Sequence, residues 1–96
     1  MSYIVVAWWV ARKEHQGEIE RILREFVPRC LSEPGCQSFV AHQSVDRPNE
    51  FLLYEHYGEE KDYVDHQTTS HFKEMVLQRA VPLLESRERV PYRILA

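Results

Sequence analysis

Five histidines, two cysteines and a few carboxylates set among apolar residues are the groups of this chain that could do chemistry. His66 and His71 fall at the end of one expected helix and the start of the next, so both imidazoles can converge on one pocket mouth. Imidazole takes up and returns protons near neutral pH, which makes general acid–base work the chemistry to expect of them. The structural alternative gives His71 to capping its own helix and packs His66 against Tyr54 or Tyr57. Glu55 is the most informative acid, because it interrupts the apolar stretch Phe51-Leu52-Leu53-Tyr54. A carboxylate there must be paired or hydrogen-bonded, or be raised in pKa for proton transfer. His66, His71 and Glu55 are therefore the expected catalytic residues.

Trp8 and Trp9 must point to opposite faces of one strand, and the ring that faces the helices would form a stacking wall for a flat aromatic ligand. The alternative is core filling, and the parity is open at this point. Trp8, Trp9, Tyr54, Phe72 and Arg79 are the expected substrate-binding residues. Tyr54 and His56 share one strand face and Glu55 the other, so only one of these sets lines a given pocket. Arg79 would pair with Glu55 or with an anionic substrate, and Lys73 is the other nearby cation. His15, in a polar stretch, is expected in solvent. His42, His56, His66 and His71 suffice for a metal site by count, but no H-x-x-x-H or Cys/His spacing is present. With three glycines and no phosphate loop, neither a metal nor any other cofactor is expected.

The elements that must hold these groups are legible from periodicity. Residues 3–11 form a continuous Val- and Trp-rich run, a strand buried on both faces. From 14 to 32, Ile19, Ile22, Leu23, Phe26, Val27, Cys30 and Leu31 make one helical stripe, with Pro28 loosening its last turn. Pro34-Gly35 stops that helix. Residues 36–45 and 51–57 read as strands joined at Asp46-Arg47-Pro48-Asn49. Residues 59–66 form a short helix. Thr69 or Ser70 caps a longer one that carries Phe72, Met75, Val76, Ala80, Leu83 and Leu84, with Pro82 disturbing its end. Pro91 to Leu95 is the final short strand. The order β-α-β-β-α-β over residues 1–96 predicts one α+β domain of ferredoxin-like type, a four-stranded antiparallel sheet with its helices on one face. The other face is left bare although strands one and three are apolar on both sides, so a homodimer is expected.

Composition narrows the classes of function. Ninety-six residues leave little room for a deep private pocket. Formal charge is −3, and twelve basic residues scattered among fifteen acids make no stripe for nucleic acid. The apolar run 4–11 is too short to span a bilayer and is followed, not preceded, by Arg12-Lys13, so neither a membrane span nor a secretory signal is expected. Two cysteines, Cys30 and Cys36, make no disulfide framework; two buried thiols in a reducing cytoplasm are expected.

Several segments in order resemble the antibiotic biosynthesis monooxygenase family. Glu33-Pro34-Gly35-Cys36 is similar to its E-x-G-C element, and Tyr54-Glu55-x-Tyr57 stands where many members carry E-x-W. The segment His66-Gln67-Thr68-Thr69-Ser70-His71-Phe72 also matches, and the likeness runs over nearly the whole chain. The resemblance implies a dimeric α/β barrel with a pocket in each subunit between sheet and helices. It points to the oxidation of quinols or polyketide-like aromatics by O2 without flavin, metal or haem that several members, though not all, carry out. The stretch from Tyr54 to Lys73 is also similar to an isomerase member acting on a phosphorylated autoinducer sugar. The haem-degrading branch is a poorer match: its helix tryptophan falls at His66 and its axial histidine at Val76, so haem degradation is not expected. Three functions follow as expectations: a small cofactor-independent oxygenase, an isomerase on the same scaffold, or a dimeric small-ligand binder without catalysis.

Overall fold

A computed structural model describes residues 2–96. Four strands, β1 (Tyr3–Ala11), β2 (Cys36–Gln43), β3 (Glu50–Tyr57) and β4 (Leu84–Tyr92), form one antiparallel sheet in the order β2-β3-β1-β4. The helices are α1 (Gln16–Leu31), α2 (Glu60–His66) and α3 (Phe72–Ala80), the last wound with π-type pairing. This is the expected ferredoxin-like arrangement. No helix among the described residues is long and apolar enough to cross a membrane.

Strand alternation divides the sheet sharply. Val5, Ala7, Trp9 and Ala11 of β1 are buried beneath the helices, and Phe51, Leu53, Glu55 and Tyr57 of β3 share that side. Ile19, Ile22, Leu23, Phe26 and Cys30 of α1 close over them. Burying each of the larger side chains stabilises the fold by about 1.5–3 kcal/mol. The opposite face carries Val6, Trp8, Val10, Val40, Leu52, Tyr54 and Tyr92, with Trp8 37% and Val40 43% exposed. No helix among the described residues covers that face.

Two boundaries differ from expectation, whereas helix α1 runs through Pro28 to Leu31, within the expected span. Helix α3 ends at Ala80, and Leu84 belongs to the sheet instead. Pro82 lies in a 3-10 turn (Val81–Leu83), where it blocks further helix and returns the chain to β1. The last strand is therefore nine residues long and starts at Leu84, well before Pro91. Its run Glu85-Ser86-Arg87-Glu88-Arg89 is too polar to signal a strand, but charge is what an edge strand tolerates best. Cys30 is buried as expected, whereas Cys36 is only partly covered.

Candidate active site

The turn after α1 places an acid where two histidines meet. Glu33 N–H donates to the Cys30 carbonyl and Cys36 N–H to that of Glu33, each at 3.1 Å, so the turn closes tightly at Pro34-Gly35. A Cβ at Gly35 would lie 2.1 Å from the Asp62 carboxyl carbon, so only glycine lets α2 come this close. Helix α2 begins with a reciprocal capping box between Glu59 and Asp62 and ends at His66. Thr69 then accepts from Phe72 N–H at 3.2 Å and donates to the His66 carbonyl at 2.8 Å, which opens the next helix. Capping falls to Thr69, and the His71 ring takes no part in it.

The two imidazoles share Glu33. His66 Nδ1–H donates to its carboxylate at 2.9 and 3.1 Å, and His71 Nε2–H at 2.5 Å. Burial works against charge on Glu33, but the hydrogen bonds from His66 and His71 outweigh it and hold its carboxyl below the ordinary range. An ionised carboxylate only accepts, so both nitrogens facing it carry hydrogen. For neutral His66 the lone pair is then on Nε2, which lies 4.0 Å from Glu55 Oε1. Glu55 accepts from the Tyr57 hydroxyl at 2.5 Å. Burial pushes the Glu55 carboxyl up to about 7, against the opposing pull of Tyr57 and His66.

Glu55 and His66 line a cavity of about 150 Å³. Its walls are Ala7 and Trp9 of β1, Phe39 of β2, Leu53 of β3, Phe26 of α1, Tyr63 of α2, and Phe72 and Val76 of α3. Apolar space of this volume holds about one benzene-sized ring. Tyr63 stacks on His66, with ring planes 20° apart, and Phe72 meets His66 edge-on at 5.2 Å. Arg87, Glu88 and Arg89 of β4 form the rim, with the two arginines on the cavity face, and no carboxylate among the described residues lies within ion-pair distance of either arginine. A more open groove of about 470 Å³ lies between α1 and β2. Its Glu20 and Arg24 pair with each other and His42 meets the Leu52 carbonyl, so the groove offers no convergent acid–base pair.

The cavity thus brings together four of the expected residues: His66, Glu55, Trp9 and Phe72. His71 stands behind His66, joined to it through Glu33. Trp8 and Tyr54 are on the open sheet face, because their parity is opposite to that of Trp9 and Glu55. Arg79 is on the outer side of α3, 3.4 Å from Glu25 and 3.8 Å from Glu18, and takes no part in the cavity. Glu33, Tyr63, Arg87 and Arg89 were missed. Only Glu33 carried a signal, as the one acid in the turn between α1 and β2. Four metal-ligating groups also meet here, in a set different from the one counted in the sequence: Cys30, Glu33, His66 and His71 each place one donor atom within 4.8 Å of the others.

Residues 1–78 match the profile of a family described as antibiotic biosynthesis monooxygenase. Solved structures share the fold. Rv0793 from Mycobacterium tuberculosis is 21% identical, with all of this chain and 97% of that one aligned at a TM-score of 0.91. PA3566 from Pseudomonas aeruginosa is 26% identical over 99% of this chain and 95% of that one, with a TM-score of 0.91. A structure described as an antibiotic biosynthesis monooxygenase is 19% identical over 98% of this chain and 99% of its own, with a TM-score of 0.92. A comparison with curated proteins finds no match.

Proposed function

The chain belongs to the antibiotic biosynthesis monooxygenase family, and from that premise we propose that it oxidises a phenol or quinol with O2, one ring at a time. The observation that carries this is the Glu33–His66 pair, whose free Nε2 is beside a one-ring aromatic cavity. Glu33 fixes the imidazole tautomer, as the carboxylate of a catalytic triad does. His66 Nε2 takes the phenolic proton, and Arg87 and Arg89 favour the anion that forms. The phenolate is electron-rich enough to reduce O2 without a flavin or metal. A ring C–H becomes a carbonyl: one oxygen atom enters the product, the other leaves as water, and the substrate supplies all four electrons. Trp9, Phe39 and Phe72 hold the ring and keep water from the intermediate. Multi-ring substrates would place one ring in the cavity and the rest beyond the rim. We further infer a cytoplasmic homodimer joined through the open sheet face.

An isomerase is the second reading, and the two unpaired arginines support it, since a phosphorylated substrate needs a cationic subsite. Chelator-treated protein with a panel of phenols and quinols in an oxygen electrode separates the readings. O2 uptake matched by quinone formation is the expected result. Turnover that persists without O2 would favour the isomerase, and saturable ligand binding without turnover would leave a binding protein.

A further inference from the structure

We propose that Cys30, Glu33, His66 and His71 form a site for a zinc-type divalent transition-metal ion, and that its occupation withdraws the proton-accepting nitrogen from the cavity. The ion site stands on the geometry of the cluster; its effect on turnover rests on the proton-transfer function proposed above.

The four donors come from three separate places: the last turn of α1, the turn that follows it, and the two sides of the α2–α3 junction. One sulfur, one carboxylate oxygen and two imidazole nitrogens lie within 4.8 Å of one another. Tetrahedral zinc, with bonds of roughly 2.0–2.3 Å, needs ligand atoms about 3.3–3.8 Å apart. The Glu33 contacts to His66 and His71 are shorter than that, so the ion would spread them by less than about 1 Å while drawing in Cys30. Thiolate with two imidazoles selects a soft or borderline ion over magnesium or calcium. The site is also dry at its base and open at its top. Cys30 is fully buried and His66 2% exposed, whereas the Glu33 and His71 side chains are 11% and 15% exposed and give the ion its entry.

The proton balance makes the site a switch. Without the ion, hydrogen occupies His66 Nδ1 and His71 Nε2, because both face a carboxylate that only accepts. An ion bound to these two nitrogens needs their lone pairs, so each imidazole hydrogen moves to the opposite ring nitrogen. The Cys30 thiol loses its proton to solvent, one proton per ion bound. Coordination to the ion stabilises the thiolate over the thiol. His66 then carries hydrogen on Nε2, the nitrogen beside Glu55, and has no lone pair for a substrate proton. Ion and substrate proton compete for one ring.

Cobalt(II) titrated into the chelator-treated full chain tests the site. Expected are one ion per chain, visible bands of tetrahedral intensity and a near-ultraviolet thiolate-to-cobalt band. The thiolate band should vanish in Cys30→Ser and persist in Cys36→Ser. His71→Asn should weaken binding by roughly 100-fold. Imidazole ¹⁵N spectra of the unaltered protein keep the proposal testable should a variant not fold. Zinc(II) should shift His66 and His71, place hydrogen on His66 Nε2, and leave His15, His42 and His56 unmoved. Absence of the cobalt bands, a thiolate band that needs Cys36, or shifts confined to the other histidines would overturn the site. Hydrogen remaining on His66 Nδ1 with zinc bound, or turnover unchanged by stoichiometric zinc, would overturn the switch. An ion-free chain that turns over no phenol while showing these spectra would refute the oxygenase function and leave the ion site standing.

Discussion

Glu33 accepts from two imidazoles, and only one of them lines the cavity, so substitutions around it should separate chemistry from stability. His66→Gln removes the base and should lower kcat by roughly 10²-fold or more, the usual scale for a positioned acid–base group. Glu33→Gln should lower kcat nearly as far with the His66 ring still present. The new amide can donate to Nδ1 and so stabilise the tautomer with hydrogen on Nε2. His71→Ala should leave kcat within a few fold and cost about 1 kcal/mol of stability instead. Steady-state oxygen uptake paired with urea unfolding measures both; equal losses of activity in His66 and His71 variants would contradict this division. Glu55 gives a pH signature. Its carboxyl is raised to about 7 in the fold, against an ordinary 4.5 when unfolded. Below about pH 4.5 both states are protonated and Glu55 leaves stability unchanged. Between the two values the folded state binds the extra proton, so stability falls as pH rises, by about 3 kcal/mol in all. Glu55→Gln keeps an acceptor for the Tyr57 hydroxyl and has no carboxyl to ionise. Its unfolding free energy should exceed that of the parent at pH 8 and match it near pH 4, in urea titrations across that range.

The elements that carry these groups were legible to different degrees, for identifiable reasons. Strand β1 and the stripe of α1 could be read because each buries a continuous apolar face, and burial writes its period into the sequence. The end of α3 and the start of β4 could not. Leu83 and Leu84 extend the helical spacing past Pro82, and the charged residues of β4 suit an edge strand as well as a loop. At the site, His66, Glu55 and the Trp pair stood out by residue type. The parity that selects Trp9 over Trp8 depends on which sheet face the helices cover, which one strand alone does not determine. Glu33 stood out only as the acid of its turn, and its role comes from α2 passing above it. That passage is testable at Gly35. Gly35→Ala should drive a methyl into Asp62, disturb the capping box and loosen Glu33 from His66. A destabilisation of about 1–3 kcal/mol and weaker Glu33–His66 coupling in double-mutant cycles are expected. Ala tolerated at full stability would mean that α2 gives way without cost.

For the whole molecule, the uncovered apolar sheet face is the dominant feature. Val6, Trp8, Val10, Leu52 and Tyr54 lie side by side on β1 and β3, with Val40 and Tyr92 to either flank. A patch of this kind calls for a partner surface, and an identical face meets the need by two-fold symmetry. Sedimentation equilibrium at micromolar concentration should give twice the 11.5 kDa chain mass. Trp8→Glu should return it to the monomer, whereas a wild-type monomer free of aggregation would contradict the proposal. The two adjacent tryptophans then become separate optical gauges on the same strand. Trp9, 4% exposed and set in the cavity wall, should lose emission when an aromatic ring stacks on it. Trp8, on the opposite face, should shift to the blue when subunits join. With Trp8→Phe or Trp9→Phe as single-tryptophan versions, fluorescence follows ligand entry and assembly independently, with no external dye on either surface.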